Sequence, residues 1–300
     1  MREFDLISRI RSLCRGEDER ILIGPGDDMA LVRTNDCGIL LAVDQLVEER
    51  HFSFQTATPF EAGRKAVARS LSDIAAMAGI PLVTLATACL NRNMIEEDAD
   101  SLMRGLIQTA EKFDCPLVGG DISLWDGPLM LTVTVTATPT SLGPVCRRGA
   151  LPGDRVFVTG SLGGSLHTGH HLNFSPRISE ALRLHKILGK YLHAMIDISD
   201  GLGRDAGHIA DESDVTIKLF TDKLPLNRGI TWQQAVSDGE DYELCFCADI
   251  NTIDDLQSVA DIPVSEIGVV TEKMNNQSVL VITPDGKETD AADFGWEHSS

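Results

Sequence analysis

Long apolar runs are missing. None approaches the roughly 20 residues that a helix needs to cross a bilayer, and mean hydropathy is −0.02. C-x-x-C spacing is missing too. The seven cysteines therefore read as small buried apolar residues in a reducing compartment, not as a zinc or disulfide framework. No G-x-x-x-x-G-K-[ST] occurs, which excludes a P-loop. The H-R-D and D-F-G signatures of protein kinases are absent, as is a Rossmann fingerprint. Basic residues are scarce: 26 Lys and Arg stand against 45 Asp and Glu, for a net charge of −19. This excludes a general nucleic-acid binder or an anionic-membrane binder. It leaves anionic substrates open, because bound metal ions invert local charge. Met1–Asp5 carries no apolar signal-peptide core, so a cytoplasmic location is expected.

Aspartate is abundant, and it recurs at the ends of apolar runs. Gly24-Pro-Gly-Asp27-Asp28 is a glycine-rich turn between two predicted strands. Asp44 follows Ile39–Val43, a run whose continuity predicts a strand buried on both faces. Asp121 follows Leu117-Val-Gly-Gly120. Asp197 and Asp200 follow Ala194–Ile196. Asp73 lies in a predicted helix with few other polar residues near it. Gathered at one site, these hard oxygen ligands would suit Mg²⁺ or Ca²⁺. His167, His170 and His171 form a second cluster, but the glycine and asparagine around them predict a mobile loop.

The 300 residues, 43% of them apolar, are enough for one large or two ordinary domains. Residues 3–14 carry an apolar helical stripe at Phe4, Ile7, Ile10 and Leu13. Thr58-Pro-Phe-Glu61 is a strong helix start with a capping box, and that helix is rich in Ala, Gly and Ser. Leu129–Thr138 alternates apolar residues with threonine, as a half-buried antiparallel strand does. The first half reads as an α+β domain. Pro and Gly cluster over residues 139–153, placing a boundary near residue 144, with domains at 1–143 and 144–300. A helix is expected near Ile253–Val259.

In order along the chain, Gly26-Asp27-Asp28, Asp44 with Glu49-x-His51-Phe52, Leu71-Ser72-Asp73, Gly119-Gly120-Asp121, Asp197-Ile-Ser-Asp200-Gly-Leu and Gly239-Glu240-Asp241-Tyr242-Glu243-Leu244 resemble thiamine-monophosphate kinase. That family sits in the superfamily of aminoimidazole ribonucleotide synthetase and selenophosphate synthetase. The likeness runs from Glu3 to Trp296. It implies an N-terminal α+β domain that forms a β-barrel at a homodimer interface, with a C-terminal α/β domain packed on it. It also implies a transferase of thiamine diphosphate biosynthesis that uses ATP and several Mg²⁺ ions to phosphorylate thiamine phosphate. By the same resemblance, Asp27, Asp28, Asp44, Asp73, Asp121, Asp197 and Asp200 are metal ligands. Gly120, Asp121, Arg147 and Ser199 contact ATP, and His51, Glu240 and Trp296 contact the substrate. No protein nucleophile is implied.

The chain departs from the family pattern in places. Ala42 and Val43 replace hydroxyl residues before Asp44, Asp238 adds an acid, Gly164 replaces an acid, and the stretch from Gly164 to Arg177 is shortened. Two other readings fit the motifs. One is another ATP-using enzyme of the superfamily, making an acyl- or imidate-phosphate. The other is a non-catalytic Mg²⁺- or nucleotide-binding homologue.

Overall fold

In a computed structural model, residues 3–13, 18–34, 38–249, 263–274, 277–291 and 294 are described. Helix α1 (Glu3–Leu13) is followed by β1 (Ile21–Ile23), β2 (Ala30–Arg33), β3 (Gly38–Val47), α2 (Pro59–Ala76), β4 (Ile80–Asn91), α3 (Glu96–Lys112), β5 (Leu117–Trp125) and β6 (Met130–Thr138). These strands form a six-stranded sheet in the order β1-β2-β3-β6-β4-β5. All neighbours are antiparallel except β4 and β5, which run parallel.

The second half contributes β7 (Arg155–Thr159), α4 (Ser165–Thr168), α5 (His170–Asn173), α6 (Ile178–Leu188), β8 (Leu192–Asp197), α7 (Leu202–Glu212), β9 (Val215–Phe220), α8 (Trp232–Ser237), β10 (Leu244–Ala248), β11 (Val264–Glu272), β12 (Val279–Ile282) and β13 (Glu288–Asp290). Its seven strands pair in the order β13-β12-β9-β11-β7-β10-β8. The result is a mixed α/β fold with two sheets. In the second sheet only β12 and β9 run parallel. The chain passes from the first sheet to the second between Thr138 and Arg155, across the Pro- and Gly-rich segment.

Helix α2 is the central element, and its sequence explains why. Thr58 accepts a hydrogen bond from the Glu61 backbone N–H at 3.3 Å, and Glu61 accepts one from the Thr58 N–H at 2.8 Å, closing the expected capping box. At the other end the Gly79 N–H reaches back to the Ile74 carbonyl at 2.9 Å. Between these caps, residues on every side of the helix are buried. It packs on β3 and β6, on α3, and on α5, α6 and β8 of the second half. One core therefore runs from Leu40, Leu71 and Val133 to Phe157, Leu184 and Phe246. A second core lies on the far side of the second sheet, around Ile196, Ile209 and Ile217.

Small residues are what allow this crowding. A Cβ at Gly63 would lie 2.2 Å from the Leu102 carbonyl oxygen, and one at Gly105 would lie 2.1 Å from the Phe60 carbonyl oxygen. The two glycines thus face each other's helix backbone where α2 crosses α3. Overpacking against backbone cannot relax by a rotamer change. Gly105→Ala is expected to cost about 2–3 kcal/mol, read as a lower urea midpoint with unchanged slope.

Two expectations are corrected. The strand ending at Asp44 runs on to Val47, and it is not buried on both faces. Leu40, Ala42 and Leu46 are buried while Leu41 and Val43 are exposed, because nothing among the described residues covers that face of the sheet. Residues 165–173 form two helical turns in place of the expected mobile loop. Arg64 on α2 orders them by donating hydrogen bonds to the carbonyls of Leu172, Asn173 and Phe174. On α1, Ile7, Ile10 and Leu13 of the expected stripe are exposed. The helix expected near Ile253–Val259 lies outside the described residues, as does Trp296.

Candidate active site

Three carboxylates converge from three elements. Asp28 comes from the turn between β1 and β2, Asp73 from α2, and Asp197 from the last position of β8. One oxygen of each lies within 4.8 Å of the others, the one such group among the described residues. The Ser72 hydroxyl donates to Asp197 Oδ2 at 2.6 Å, and Arg147 Nη2 donates to Asp28 Oδ1 at 2.6 Å. The second oxygen of Asp28 is buried and has no hydrogen-bond partner among the described residues. Burial pushes Asp73 well above the usual carboxylate range, and the charges of Asp44, Asp197 and Asp28 push it further. Asp197 is pushed up to about 7 by burial and then by Asp28. Crowded anionic oxygens with an unsatisfied lone pair need a cation, and an all-oxygen donor set fits Mg²⁺.

The other predicted ligands sit at different distances from this group. The Arg147 backbone N–H donates to Asp27 Oδ1 at 3.0 Å, so Arg147 grips both aspartates of the turn. Asp44 stands 3.7 Å from Arg69 Nη2. Asp205 Oδ2 accepts from the backbone N–H groups of Ser199 and Asp200, each at 3.0 Å, and so fixes the loop after Asp197. Gly120 and Asp121 are not brought to the group. Asp44 is in register with Val133, Val133 with Ala86, and Ala86 with Gly120. Three strand spacings put Gly120 about 14 Å from Asp44, and Asp121 points to the opposite, open face.

A cleft opens between the halves. His51 and Arg69 line one side, and Ser199, Asp200 and Glu240 the other. The Val47 N–H donates to His51 Nδ1 at 2.9 Å, which places the proton of the neutral ring on Nε2. Below the cleft Lys65 is fully buried. Its ammonium donates to both oxygens of Glu240, at 2.8 and 2.7 Å, and to the His51 carbonyl at 2.6 Å. Glu240 and Tyr242 hold left-handed backbones, φ 64° and 51°. Hydrogen bonds from their N–H groups to the Ser199 and Ile198 carbonyls, both 2.8 Å, keep them there. Gly239 lets this segment approach: a Cβ there would lie 2.5 Å from the Ser199 carbonyl oxygen.

Residues 26–139 match the family model described as AIR synthase related protein, N-terminal domain. The thiamine-monophosphate kinase of Rhodopirellula baltica is 33% identical over 84% of each chain. That of Haemophilus influenzae is 31% identical over 99% of this chain and 98% of its own. The chain belongs to the thiamine-monophosphate kinase family. Among solved structures, AaThiL complexed with AMPPCP and TMP superposes with a TM-score of 0.84 at 30% identity, covering 99% of this chain and 97% of its own.

This thiamine-monophosphate kinase homologue uses charged residues that motif reading passed over. Lys65, Arg69 and Asp205 all lie on helices, where a charged side chain ordinarily faces water. The signal available in the sequence was local: each sits among small or apolar neighbours. The histidines do not form a metal-ligating group among the described residues. His171 Nδ1 lies 3.1 Å from the Ser165 carbonyl oxygen and His170 Nε2 lies 3.3 Å from that of Asp241, so the rings do not converge. The departure at Asp238 also has a local use, because its carboxylate accepts from the Gly164 N–H at 3.0 Å.

Proposed function

We propose that the chain transfers the γ-phosphoryl group of ATP to the phosphate of thiamine phosphate, giving ADP and thiamine diphosphate. The observation that carries this reading is the meeting of Asp28, Asp73 and Asp197, in a family member whose neighbouring cleft is lined by His51 and Glu240. The AMPPCP and TMP held by AaThiL support both substrates. Two polyanions repel, and phosphoryl transfer needs that charge neutralised and the reacting oxygens held in line. Asp28, Asp73 and Asp197, with Asp27, Asp44 and Asp200 nearby, would hold Mg²⁺, which supplies the positive charge that carboxylates cannot. A phosphate oxygen of the acceptor attacks the γ-phosphorus, the bond to the β-phosphate oxygen breaks, and ADP leaves. Arg147 and Ser199 contact the nucleotide, while His51 Nε2–H, Glu240 and Trp296 contact thiamine phosphate. An assay of ADP release, with mass detection of thiamine diphosphate, tests this. Release with thiamine phosphate but not with thiamine is expected, and turnover of neither would end the reading.

The domains are residues 1–143 and 144–300, and the working form is a cytoplasmic homodimer. Val43, Leu85 and Ile122 stand 62%, 42% and 59% exposed on the open face of the first sheet. Edge strand β5 is exposed over nearly all its length. An apolar face ending in an unpaired edge is a pairing surface. A second copy closing it would make a barrel, and would bring Gly120 and Asp121 to a site they do not reach within one chain. Light scattering is expected to give twice the chain mass at ~10 μM, a concentration well above the Kd of an ordinary stable interface. Ile122→Glu should give a monomer. A monomeric wild type would remove the claim.

A further inference from the structure

Arg69 makes few contacts for a guanidinium placed so deeply. It stands one helical turn before Asp73 on α2, on the same face, and its side chain is 17% exposed. Nη1 donates to the Gln45 carbonyl at 3.2 Å. Nη2 is 3.7 Å from Asp44 Oδ1, beyond hydrogen-bond length. Nε is buried with no partner among the described residues. A guanidinium has five donors in a rigid fork, and a buried donor left unpaired is costly. Yet this group lines the cleft, with Arg50 and His51 beside it. In a chain of net charge −19, that wall gathers three basic side chains, while Asp200 and Glu240 stand across the opening. Burial opposes the Arg69 charge, but the surrounding carboxylates of Asp44, Glu240 and Asp73 favour it, so the group stays protonated.

A forked cation with unused donors at the edge of a phosphate-handling cleft is shaped for an oxyanion. Resting on the kinase reading, we propose that Arg69 docks the phosphate of the acceptor, so that a side chain of the protein, and not bound metal alone, holds the monoester beside the aspartate group. The donor nucleotide has Arg147 on the Asp28 side, whereas Arg69 shares its wall with His51 on the acceptor side. The role would also suit a chain with Ala42 and Val43 before Asp44, where side-chain oxygen for a metal is short.

The test compares Arg69→Met, which keeps the apolar stem, with Arg69→Gln, which keeps a polar but uncharged side chain. Thermal unfolding identifies folded variants. Isothermal titration with thiamine phosphate, thiamine and inorganic phosphate, and steady-state kinetics with each substrate varied, give the readout. The proposal expects at least tenfold weaker thiamine phosphate binding in a folded variant. Thiamine binding and the KM for ATP should change less than twofold, and inorganic phosphate binding should weaken with thiamine phosphate. Equal weakening for thiamine and thiamine phosphate would overturn it, as would no change. A rise confined to the KM for ATP would move Arg69 to the donor and overturn it too. If the wild type makes no thiamine diphosphate, the kinase reading fails separately, and Arg69 stands or falls on the phosphate titration.

Discussion

Asp73→Asn is expected to lower kcat by at least ~10³-fold, about 4 kcal/mol of lost transition-state stabilisation, while raising the melting temperature of the metal-free protein. Both effects have one cause. Asp28, Asp73 and Asp197 crowd their oxygens within 4.8 Å, at a place where burial and mutual repulsion disfavour every negative charge. Without a cation the cluster would strain the fold, and with one it would become the proposed metal site. The amide keeps the size and removes the charge, so the strain is relieved and the ligand is lost. The same balance fixes a pH dependence. The folded-state pKa of Asp197, about 7, lies above its ordinary value of 3.8. Its contribution to the stability of metal-free protein is therefore fully present below about pH 4 and is lost as pH rises through about 7. Scanning fluorimetry in chelator should show stability falling across that window, and Mg²⁺ should restore it in the wild type but not in Asp73→Asn. Near-normal turnover of the variant at saturating Mg²⁺, or a wild type whose melting ignores Mg²⁺, would sink the shared-metal site.

The elements behind this site were legible because each is specified locally. The Thr58 capping box announces α2, and the alternation in 130–138 announces β6. Aspartates at strand ends mark where β1–β2 and β8 deliver carboxylates to one place. What was not legible depends on what covers what. Ile39–Val43 reads as a doubly buried strand, since an apolar run looks the same whether its second face meets a helix or is left for another chain. Helix α2 hides its all-round burial, because Ala, Gly and Ser give periodicity little to detect. Lys65 and Arg69 consequently look like solvent-facing charges. Asp121 carries the motif, but within one chain the register of β3, β6, β4 and β5 puts its neighbour Gly120 about 14 Å from Asp44 and turns Asp121 to the open face of the sheet, which sequence order alone cannot reveal.

Lys65→Met is expected to be the most destabilising single change near the cleft, by about 3–5 kcal/mol, the usual cost of stranding one member of a buried ion pair. Lys65 has no exposed surface, and its partner Glu240 has 17%. Burial pulls the Lys65 pKa down and the Glu240 charge opposes that pull. The pair therefore survives on its own contacts: two hydrogen bonds to Glu240 and one to the His51 carbonyl. Those contacts join α2 of the first half to the 240–242 segment of the second, and they fix the backbone of His51 and the side chain of Glu240. Glu240→Gln alone strands the lysine and should also destabilise, though by less, because an ammonium on a flexible stem finds water more readily. The double variant Lys65→Met, Glu240→Gln strands no charge. It should recover at least ~1 kcal/mol relative to the sum of the single changes, within the range of coupling seen between residues in contact. Activity should not follow stability. With the pin removed, His51 and the 240–242 segment lose their shared anchor, so the double variant should keep a raised KM for thiamine phosphate even when fully folded. Additive stabilities in urea titrations would mean that the pair is uncoupled. A double variant with wild-type KM would mean that Lys65 holds only the fold, and that the cleft keeps its shape without it.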